Sequence, residues 1–278
     1  MSENQGYILN TVQTPGPLRT VFESIRRGYT TSEELGDDTD LPADLLKQGL
    51  NGLQQLGMIG REEPDYYTIE YAWETDDHEL DFCMTALNQL AKRAETGDWG
   101  KQSVVLLNYQ YLLQHDIQYF ESNDEVLFNK INDWEQSDRG YRPRSSQGPI
   151  VLNEPKFVNW TRLVDSLGLI YKMSGRSHTV YPDLDMIEHS IRFAVEDIGE
   201  DGRISIEDYF DWLNQNLLLI ELTSDGTVPA PFARVLYTLV RNGAIRIIEH
   251  GDAGAISLDR VPSHSDIDRE ANTLEVVG

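Results

Sequence analysis

The chain has 278 residues, of which 47 are acidic and 23 are basic, so its formal net charge is −24. This length predicts two or three modules, each large enough to bury a core. With 40% apolar and 25% charged residues, the composition is that of folded protein rather than of a disordered acidic segment. The single cysteine excludes an intrachain disulfide and a cysteine-rich zinc site.

The acidic residues are scattered through the chain, and arginine supplies 17 of the 23 basic groups. This pattern resembles the proteins of extreme halophiles, whose potassium-rich cytoplasm screens charges over about 3 Å. No apolar run approaches the length of a membrane span, and residues 1–10 lack the regions of a secretory signal. We therefore expect a cytoplasmic protein of a halophilic archaeon that makes no membrane contact.

The first predicted elements are three helices that precede a hairpin. Pro17–Arg27 carries apolar residues on one face, Thr31 caps a short second helix, and Pro42–Gly57 forms the third. Asp77–Ala94 is predicted as a linking helix between this group and the next. Val104–Phe120 is predicted as one long aromatic-rich helix.

The second and third groups repeat this order. The second continues with helices over Asp124–Trp134 and from about Pro155. In the third, Met186–Glu196 is a helix, a short strand follows near Ile204, and further helices span Glu207–Asn216 and Pro231–Asn242. Each of the three groups is therefore predicted to contain three helices.

A helix that stops at a glycine and leads into a hairpin recurs three times, at Gly57, Gly168 and Gly243. From the first strand to the middle of the returning strand the separations are similar, from 59 to 69, from 170 to 180 and from 245 to 256. This order of elements resembles the winged helix-turn-helix family in three tandem copies. The expected fold class is mainly α with small β-hairpins, arranged as tandem winged-helix-like modules.

The resemblance suggests the following domain boundaries. Module 1 covers residues 1–75, a linking helix covers 76–100, module 2 covers 101–185, module 3 covers 186–262, and a flexible acidic tail covers 263–278. Winged-helix modules most often bind nucleic acid, but many contact only other proteins. The charge of each module therefore helps to distinguish these functions.

Modules 1 and 3 are acidic. Residues 15–75 hold five basic and twelve acidic groups, and residues 186–262 hold six and thirteen, so each segment has a net charge of −7. Phosphate contacts supply much of the affinity for nucleic acid, and these segments offer few cations for them. We expect modules 1 and 3 to contact a protein partner or a second copy of the chain.

Module 2 contains a basic segment, residues 139–181, with a net charge of +5 against −29 for the remainder. Its predicted third helix buries Phe157, Trp160, Val164 and Leu167 and leaves the polar residues on the other side. The predicted DNA-binding residues are Arg139, Arg142, Arg144, Lys156, Asn159, Arg162, Lys172, Arg176 and His178.

These residues have different predicted roles. Asn159 and Arg162 suit base edges in a major groove, because Asn pairs with adenine and Arg with guanine. Lys156 and Lys172 suit phosphates, as do the arginines of a flexible basic loop at 139–144. Arg176 and His178 are predicted at the tip of the wing. The basic segment could equally receive an acidic segment of a partner protein.

Asp197–Asp208 resembles an EF-hand calcium loop, with Asp197 and Asp201 at two ligand positions. However, Gly199 occupies the position of another ligand, and the loop ends in Asp208 where a glutamate is expected. The same residues also fit the first strand of module 3. We therefore predict no metal site.

The sequence shows no histidine spacing typical of a metal site, no phosphate-binding glycine loop and no nucleophile elbow. It therefore predicts neither an enzyme nor a cofactor. The leading hypothesis is a DNA-binding protein, either a transcription regulator or a DNA-recognition subunit, that uses module 2 to bind double-stranded DNA. The alternative is a protein scaffold similar to the acidic tandem winged-helix subunits of chromosome-organising or DNA-defence ATPase complexes.

Overall fold

The computed structural model describes residues 6–70, 72–94, 100–249, 256–258 and 270–277. The chain is mainly helical with small, mostly antiparallel strand pairs, which confirms the predicted fold class at this level. The helices are α1 (Ile8–Thr11), α2 (Gly16–Arg26), α3 (Ser32–Thr39), α4 (Ala43–Leu56), α5 (His78–Ala94), α6 (Val104–Gln114), α7 (Glu125–Ser137), α8 (Glu154–Ser166), α9 (Leu184–Ile198), α10 (Ile206–Asn216) and α11 (Ala230–Asn242). Among these helices, none is long and apolar enough to cross a membrane.

The strands are short. They are β1 (Ile59–Glu63), β2 (Tyr66–Ile69), β3 (Tyr119–Glu121), β4 (Arg144–Ser145), β5 (Gly148–Pro149), β6 (Ile170–Ser174), β7 (Ser177–Val180), β8 (Arg203–Ser205), β9 (Thr227–Val228), β10 (Ile245–Ile248), β11 (Ile256–Leu258), β12 (Glu270–Ala271) and β13 (Thr273–Val276). They form two hairpins, β1–β2 and β4–β5, and three sheets with the orders β3-β7-β6, β10-β13-β8 and β12-β11-β9.

The chain forms two compact units. Unit 1 comprises Met1–Val105 and Ser122–Leu167, and unit 2 comprises Leu106–Glu121 and Gly168–Gly278. Helices α7 and α8 therefore belong to unit 1, whereas strands β3, β6 and β7 belong to unit 2. The predicted modules follow the order of helices and hairpins along the chain, whereas the two units are defined by compactness. The division into units therefore does not test the modules, which stay predictions.

In unit 1, interactions between residues close in the sequence define the ends of α3 and α4 and the hairpin β1–β2. Thr31 begins α3 with a capping box, in which its hydroxyl accepts from the backbone N–H of Glu34 while the Glu34 carboxylate accepts from the N–H of Thr31. Helix α4 ends at Gly57, whose φ of +81° lies in the left-handed region that glycine tolerates. Strands β1 and β2 then pair with Ile59 opposite Ile69, as predicted.

The core of unit 1 includes the predicted linking helix. Phe22 of α2 packs edge-on against Phe82 of α5, with ring centroids 5.6 Å apart. Asp81 of α5 is completely buried, and its Oδ2 lies 2.8 Å from Nη1 of Arg26 in α2. Helix α5 is thus a structural part of unit 1, and the predicted residues 95–99 lie outside the described residues.

In unit 2, the second predicted hairpin is confirmed, because Ile170 lies opposite Val180 in the β6–β7 pair. The helix predicted over Val104–Phe120 is wrong beyond Gln114, since Tyr119–Glu121 form strand β3 beside β7. Phe120 is buried and both of its neighbours are exposed, an alternation that a strand produces and a helix does not.

The third predicted hairpin is wrong. Ile245 of β10 lies opposite Val276 of β13, and the predicted return strand at Ile256 instead lies opposite Ala271 of β12. Strand β13 also pairs with β8, so β10, β13 and β8 form one sheet. The chain between β10 and β13 contains two further strands, β11 and β12, and the strand that was predicted to return to β10 is β11.

The predicted flexible tail is wrong over the part that the structure describes, residues 270–277. These residues form β12 and β13, and the side chains of Ala271 and Leu274 are completely buried. The segment completes two sheets of unit 2. Burial of its apolar side chains stabilises it in this position despite its acidic residues. Residues 263–269 lie outside the described residues.

Candidate nucleic-acid interface

Helix α8 is the predicted reading helix, and its buried face is as predicted. Phe157, Trp160, Val164 and Leu167 are completely buried. The indole Nε1 of Trp160 donates to the carbonyl oxygen of Val105 at 3.1 Å. This stripe determines the rotation of the helix and therefore which side chains point away from the core of unit 1.

The opposite face of α8 contacts the N-terminal segment of unit 1, residues 6–13, which contains α1. Nδ2 of Asn159 donates to the carbonyl oxygen of Leu9 at 2.9 Å, and Nη1 of Arg162 donates to that of Gln13 at 3.2 Å. Asn159 is half-buried, so this geometry does not support its predicted contact with a base. Arg162 remains exposed beside the same segment.

The N-terminal segment is held firmly. The buried amide of Gln102 bridges it twice: its Oε1 accepts from the N–H of Ile8 at 2.9 Å, and its Nε2 donates to the carbonyl oxygen of Gly6 at 2.7 Å. Ile8 and Leu9 are completely buried. The segment is thus part of the core of unit 1 and covers one face of α8.

A buried carboxyl group lies beside this segment. Glu135 of α7 is only 4% exposed, and burial raises the pKa of its side chain to about 8. Tyr7 and Tyr141 interact electrostatically with Glu135. Burial, more than this interaction, raises the pKa of both phenols. Tyr141 donates its hydroxyl to the carbonyl oxygen of Lys101 at 2.7 Å. At neutral pH the cluster is therefore protonated and carries no charge.

Two of the predicted phosphate contacts are occupied within unit 1. Nζ of Lys156 donates to the carbonyl oxygen of Val151 at 2.6 Å, and partial burial lowers the pKa of this amine. The guanidinium of Arg139 is half-buried and lies 4.9 Å from the centre of the Trp134 ring. Both cations stabilise the surroundings of α7 and α8, and neither is well placed for DNA.

The predicted basic loop is better ordered than expected. Its Tyr141 is buried, and Arg144 forms part of the small hairpin β4–β5, opposite Pro149. Arg142 and Arg144 are nevertheless exposed, and the single described hydrogen bond of Arg142 is a long one of 3.4 Å to the carbonyl oxygen of Gln136. Both arginines retain the exposure that a phosphate contact requires.

In unit 2, Lys172 and Arg176 are exposed on the hairpin β6–β7, as predicted. His178 is only 6% exposed and stacks on Phe120, with ring centroids 5.4 Å apart. Its predicted place at the tip of the wing is wrong, because the pleat of β7 turns its side chain into the unit.

A group of aromatic residues in unit 2 was not predicted as part of the site. Tyr119 is 60% exposed and Tyr171 is 41% exposed, on the edge strands of the same sheet. The guanidinium of Arg234 in α11 lies 5.8 Å from the centre of the Tyr119 ring and 5.6 Å from that of Tyr181. Tyr119 was predicted to lie in a helix, whereas the alternation of exposed and buried side chains from 119 to 121 is the signal that identifies the strand.

The EF-hand-like segment is occupied by structural contacts. Oδ2 of Asp197 accepts from the indole Nε1 of Trp212 at 3.0 Å. Oδ2 of Asp208 accepts from the hydroxyl of Ser205, which in turn caps helix α10. Within the described ranges, no three His, Cys, Asp or Glu side chains, Asp201 included, are grouped so that they could hold a metal ion.

No protein-family model, curated protein or solved structure matches the chain. Its function must therefore be inferred from the geometry of its own residues. Of the nine predicted DNA-binding residues, the cations that remain exposed are Arg142, Arg144 and Arg162 in unit 1 and Lys172 and Arg176 in unit 2.

Proposed function

We propose that the protein is a non-enzymatic DNA-binding protein, built from winged-helix modules, that contacts phosphates with the cations of its hairpins. The observation that carries this proposal is the hairpin β6–β7. Residues 168–181 contain the exposed cations Lys172 and Arg176 and no acidic residue, in a chain with a net charge of −24. Base reading by α8 is not part of the proposal, because Asn159 is bonded to Leu9.

The order of elements supports the winged-helix assignment. Helix α6, strand β3, helices α7 and α8, and strands β6 and β7 follow one another, and the strand order is β3-β7-β6. Helix α9, strand β8, helices α10 and α11, and strands β10 and β13 repeat this sequence, with the strand order β8-β13-β10. Helices α2, α3 and α4 with the hairpin β1–β2 form a shorter version, and this recurrence supports the assignment of three winged-helix modules.

Exposed hairpin cations can supply affinity without reading sequence. Each phosphate that a cation neutralises releases counterions, and the logarithm of the binding constant then falls by about 0.9 for each tenfold increase in salt. Arg144 on β4 and Arg142, two residues before this strand, offer the same kind of contact from unit 1. We therefore expect binding that depends strongly on salt and weakly on sequence.

The test is fluorescence anisotropy of a labelled duplex with the double variant Lys172→Glu/Arg176→Glu. We expect weaker binding. The slope of log K against log salt concentration should become shallower by about 1.8, because two phosphate contacts are lost. The matched control is Lys47→Glu/Arg61→Glu, which makes the same charge change at exposed positions of α4 and β1. If both variants weaken binding equally, or if the wild-type protein binds no duplex, the proposal is wrong.

A protein scaffold is the second candidate, and the covered face of α8 favours it. In unit 1 this face already contacts a peptide segment, residues 6–13, through Asn159 and Arg162. The acidic segments 15–75 and 186–262 would then contact a partner protein or a second copy. A scaffold predicts that polyglutamate binds the wild-type protein, that Lys172→Glu/Arg176→Glu abolishes this binding, and that no duplex binds at any salt concentration.

A further inference from the structure

The sheet β3-β7-β6 of unit 2 has an aromatic face that phosphate contacts do not explain. Thr179 of β7 lies opposite Tyr119 on one side and opposite Tyr171 on the other. Side chains of directly paired residues share a face of a sheet, so the two tyrosines and Thr179 form one row across three strands. The two rings are two strand spacings apart, about 10 Å.

Two further side chains extend this row. The Tyr181 ring lies 6.3 Å from that of Tyr171, measured between centroids. Arg234 lies between Tyr181 and Tyr119, within cation–π distance of both rings. The sequence separates these residues widely, but the fold of unit 2 brings three tyrosines and one guanidinium together. We call Tyr119, Tyr171, Tyr181 and Arg234 the aromatic row.

Hydrogen bonds hold the aromatic row in place. The hydroxyl of Tyr171 donates to Oδ2 of Asp183 at 2.6 Å. Nη2 of Arg234 donates to the carbonyl oxygen of Val180 at 2.7 Å. The Tyr171 ring thus cannot turn freely, and a base that stacks on it costs little additional conformational entropy of that side chain.

We propose that the aromatic row binds single-stranded nucleic acid by stacking bases on Tyr119 and Tyr171. Every base has a π-face, and proteins that bind single strands combine such rings with cations that follow the backbone. A duplex keeps its bases stacked on one another, so only an opened strand can offer two separate bases to rings about 10 Å apart. This proposal rests on the proposed DNA-binding function and makes it more specific.

The cations around the aromatic row suit the anionic backbone of a strand whose bases stack on the rings. The hairpin that carries Tyr171 has the cations Lys172 and Arg176 and no acidic residue. Glu121 at the end of β3, Asp183 and Asp185 are carboxylates near the row, and Asp183 is already bonded to Tyr171. Lys172 is paired with His178 and therefore points to the other face of the sheet, but Arg176 lies in the hairpin turn, where an anionic backbone can contact it while the bases reach the rings.

The test measures the affinity of the full chain for a fluorescent oligothymidylate of about 12 nucleotides by anisotropy. Replacing Tyr119 or Tyr171 by leucine should weaken binding by about 5- to 150-fold each, the usual effect of losing one stacked base. Phenylalanine at the same positions keeps the ring and should retain most of the binding. Tyr66→Leu is the matched control, because Tyr66 is 39% exposed on the hairpin β1–β2.

Thermal melting of each variant separates a loss of binding from a loss of folding. If the folded leucine variants at positions 119 and 171 bind the oligothymidylate as the wild-type protein does, the stacking proposal is overturned. It is also overturned if the wild-type protein binds the duplex but not the oligothymidylate, and the proposed duplex binding then stands. If the protein binds neither probe, both proposals fail together.

Discussion

Asp81 and Glu79 lie two residues apart on α5, and each forms an ion pair with an arginine of α2. Burial determines the contribution of each pair. Asp81 is completely buried and also accepts from the N–H and hydroxyl of Thr75, whereas the Arg19–Glu79 side chains are 44% and 63% exposed. Removing one partner of a buried pair leaves an uncompensated charge, but an exposed pair is solvated with or without its partner.

We expect Asp81→Asn to lower the free energy of unfolding by about 3 kcal/mol, because it leaves the partly buried Arg26 with only the more distant carboxylate of Glu23. Glu79→Gln makes the same chemical change on the same helix and should lower it by at most about 1 kcal/mol. Urea denaturation of the two variants provides the comparison. Equal losses would show that the Arg26–Asp81 pair does not hold α2 against α5.

Glu135 makes the stability of unit 1 depend on pH. Burial raises its pKa to about 8 in the folded protein, above the usual value of 4.5 for the carboxyl group in an unfolded chain. Between these values the folded state binds more protons than the unfolded state, so stability decreases as pH rises. The stabilisation is complete below pH 4.5 and is lost as pH rises through about 8.

In the variant Glu135→Gln the side chain at position 135 cannot ionise, so the variant should lack this pH-dependent stabilisation. We expect the difference in unfolding free energy between the variant and the wild-type protein to change by about 1.4 kcal/mol per pH unit within the window. Urea denaturation of both proteins between pH 5.5 and 8 measures this difference. The contributions of the other ionisable groups are the same in both proteins and cancel. A difference that does not change with pH would mean that Glu135 is ionised in the folded protein.

At the scale of elements, local signals predicted most of the secondary structure. The capping box at Thr31 and the left-handed glycine Gly57 act within a few residues, so both are readable from the sequence. The hairpins at Ile59 and Ile170 have short turns and are also local. The pairing of Ile245 was mispredicted because its partner strand lies 31 residues away, beyond a segment with strands of its own.

The candidate site was predictable only in part, for the same reason. Hydrophobic periodicity identified the buried face of α8, but nothing local indicates what covers the other face. Asn159 bonds to Leu9, 150 residues earlier in the chain. The aromatic row likewise joins β3, β6 and α11, which only the tertiary fold of unit 2 brings together. Exposure of Lys172 and Arg176 was predictable because a hairpin turn faces solvent.

At the scale of the whole molecule, the negative charge is shared evenly. Unit 1 has 14 basic and 26 acidic residues and unit 2 has 9 and 21, so each unit carries a net charge of −12. Several cations form internal contacts, such as Arg26 with Asp81 and Arg203 with Glu275. The exposed surface therefore has few cations to offset its carboxylates, and each unit experiences repulsion within itself.

Salt should therefore stabilise the fold, as in the halophilic cytoplasm proposed for it. Raising KCl from about 0.1 to 1 M shortens the Debye length from about 10 to 3 Å and screens this repulsion, so Tm should rise. The variant Asp37→Asn/Glu62→Gln/Glu63→Gln removes three exposed carboxylates of unit 1 and should melt higher in low salt, with a smaller rise as KCl is added. Salt also strengthens apolar burial, but the variant keeps the same core, so this contribution cancels between the two proteins. Parallel melting curves across the KCl series would mean that surface repulsion does not limit stability.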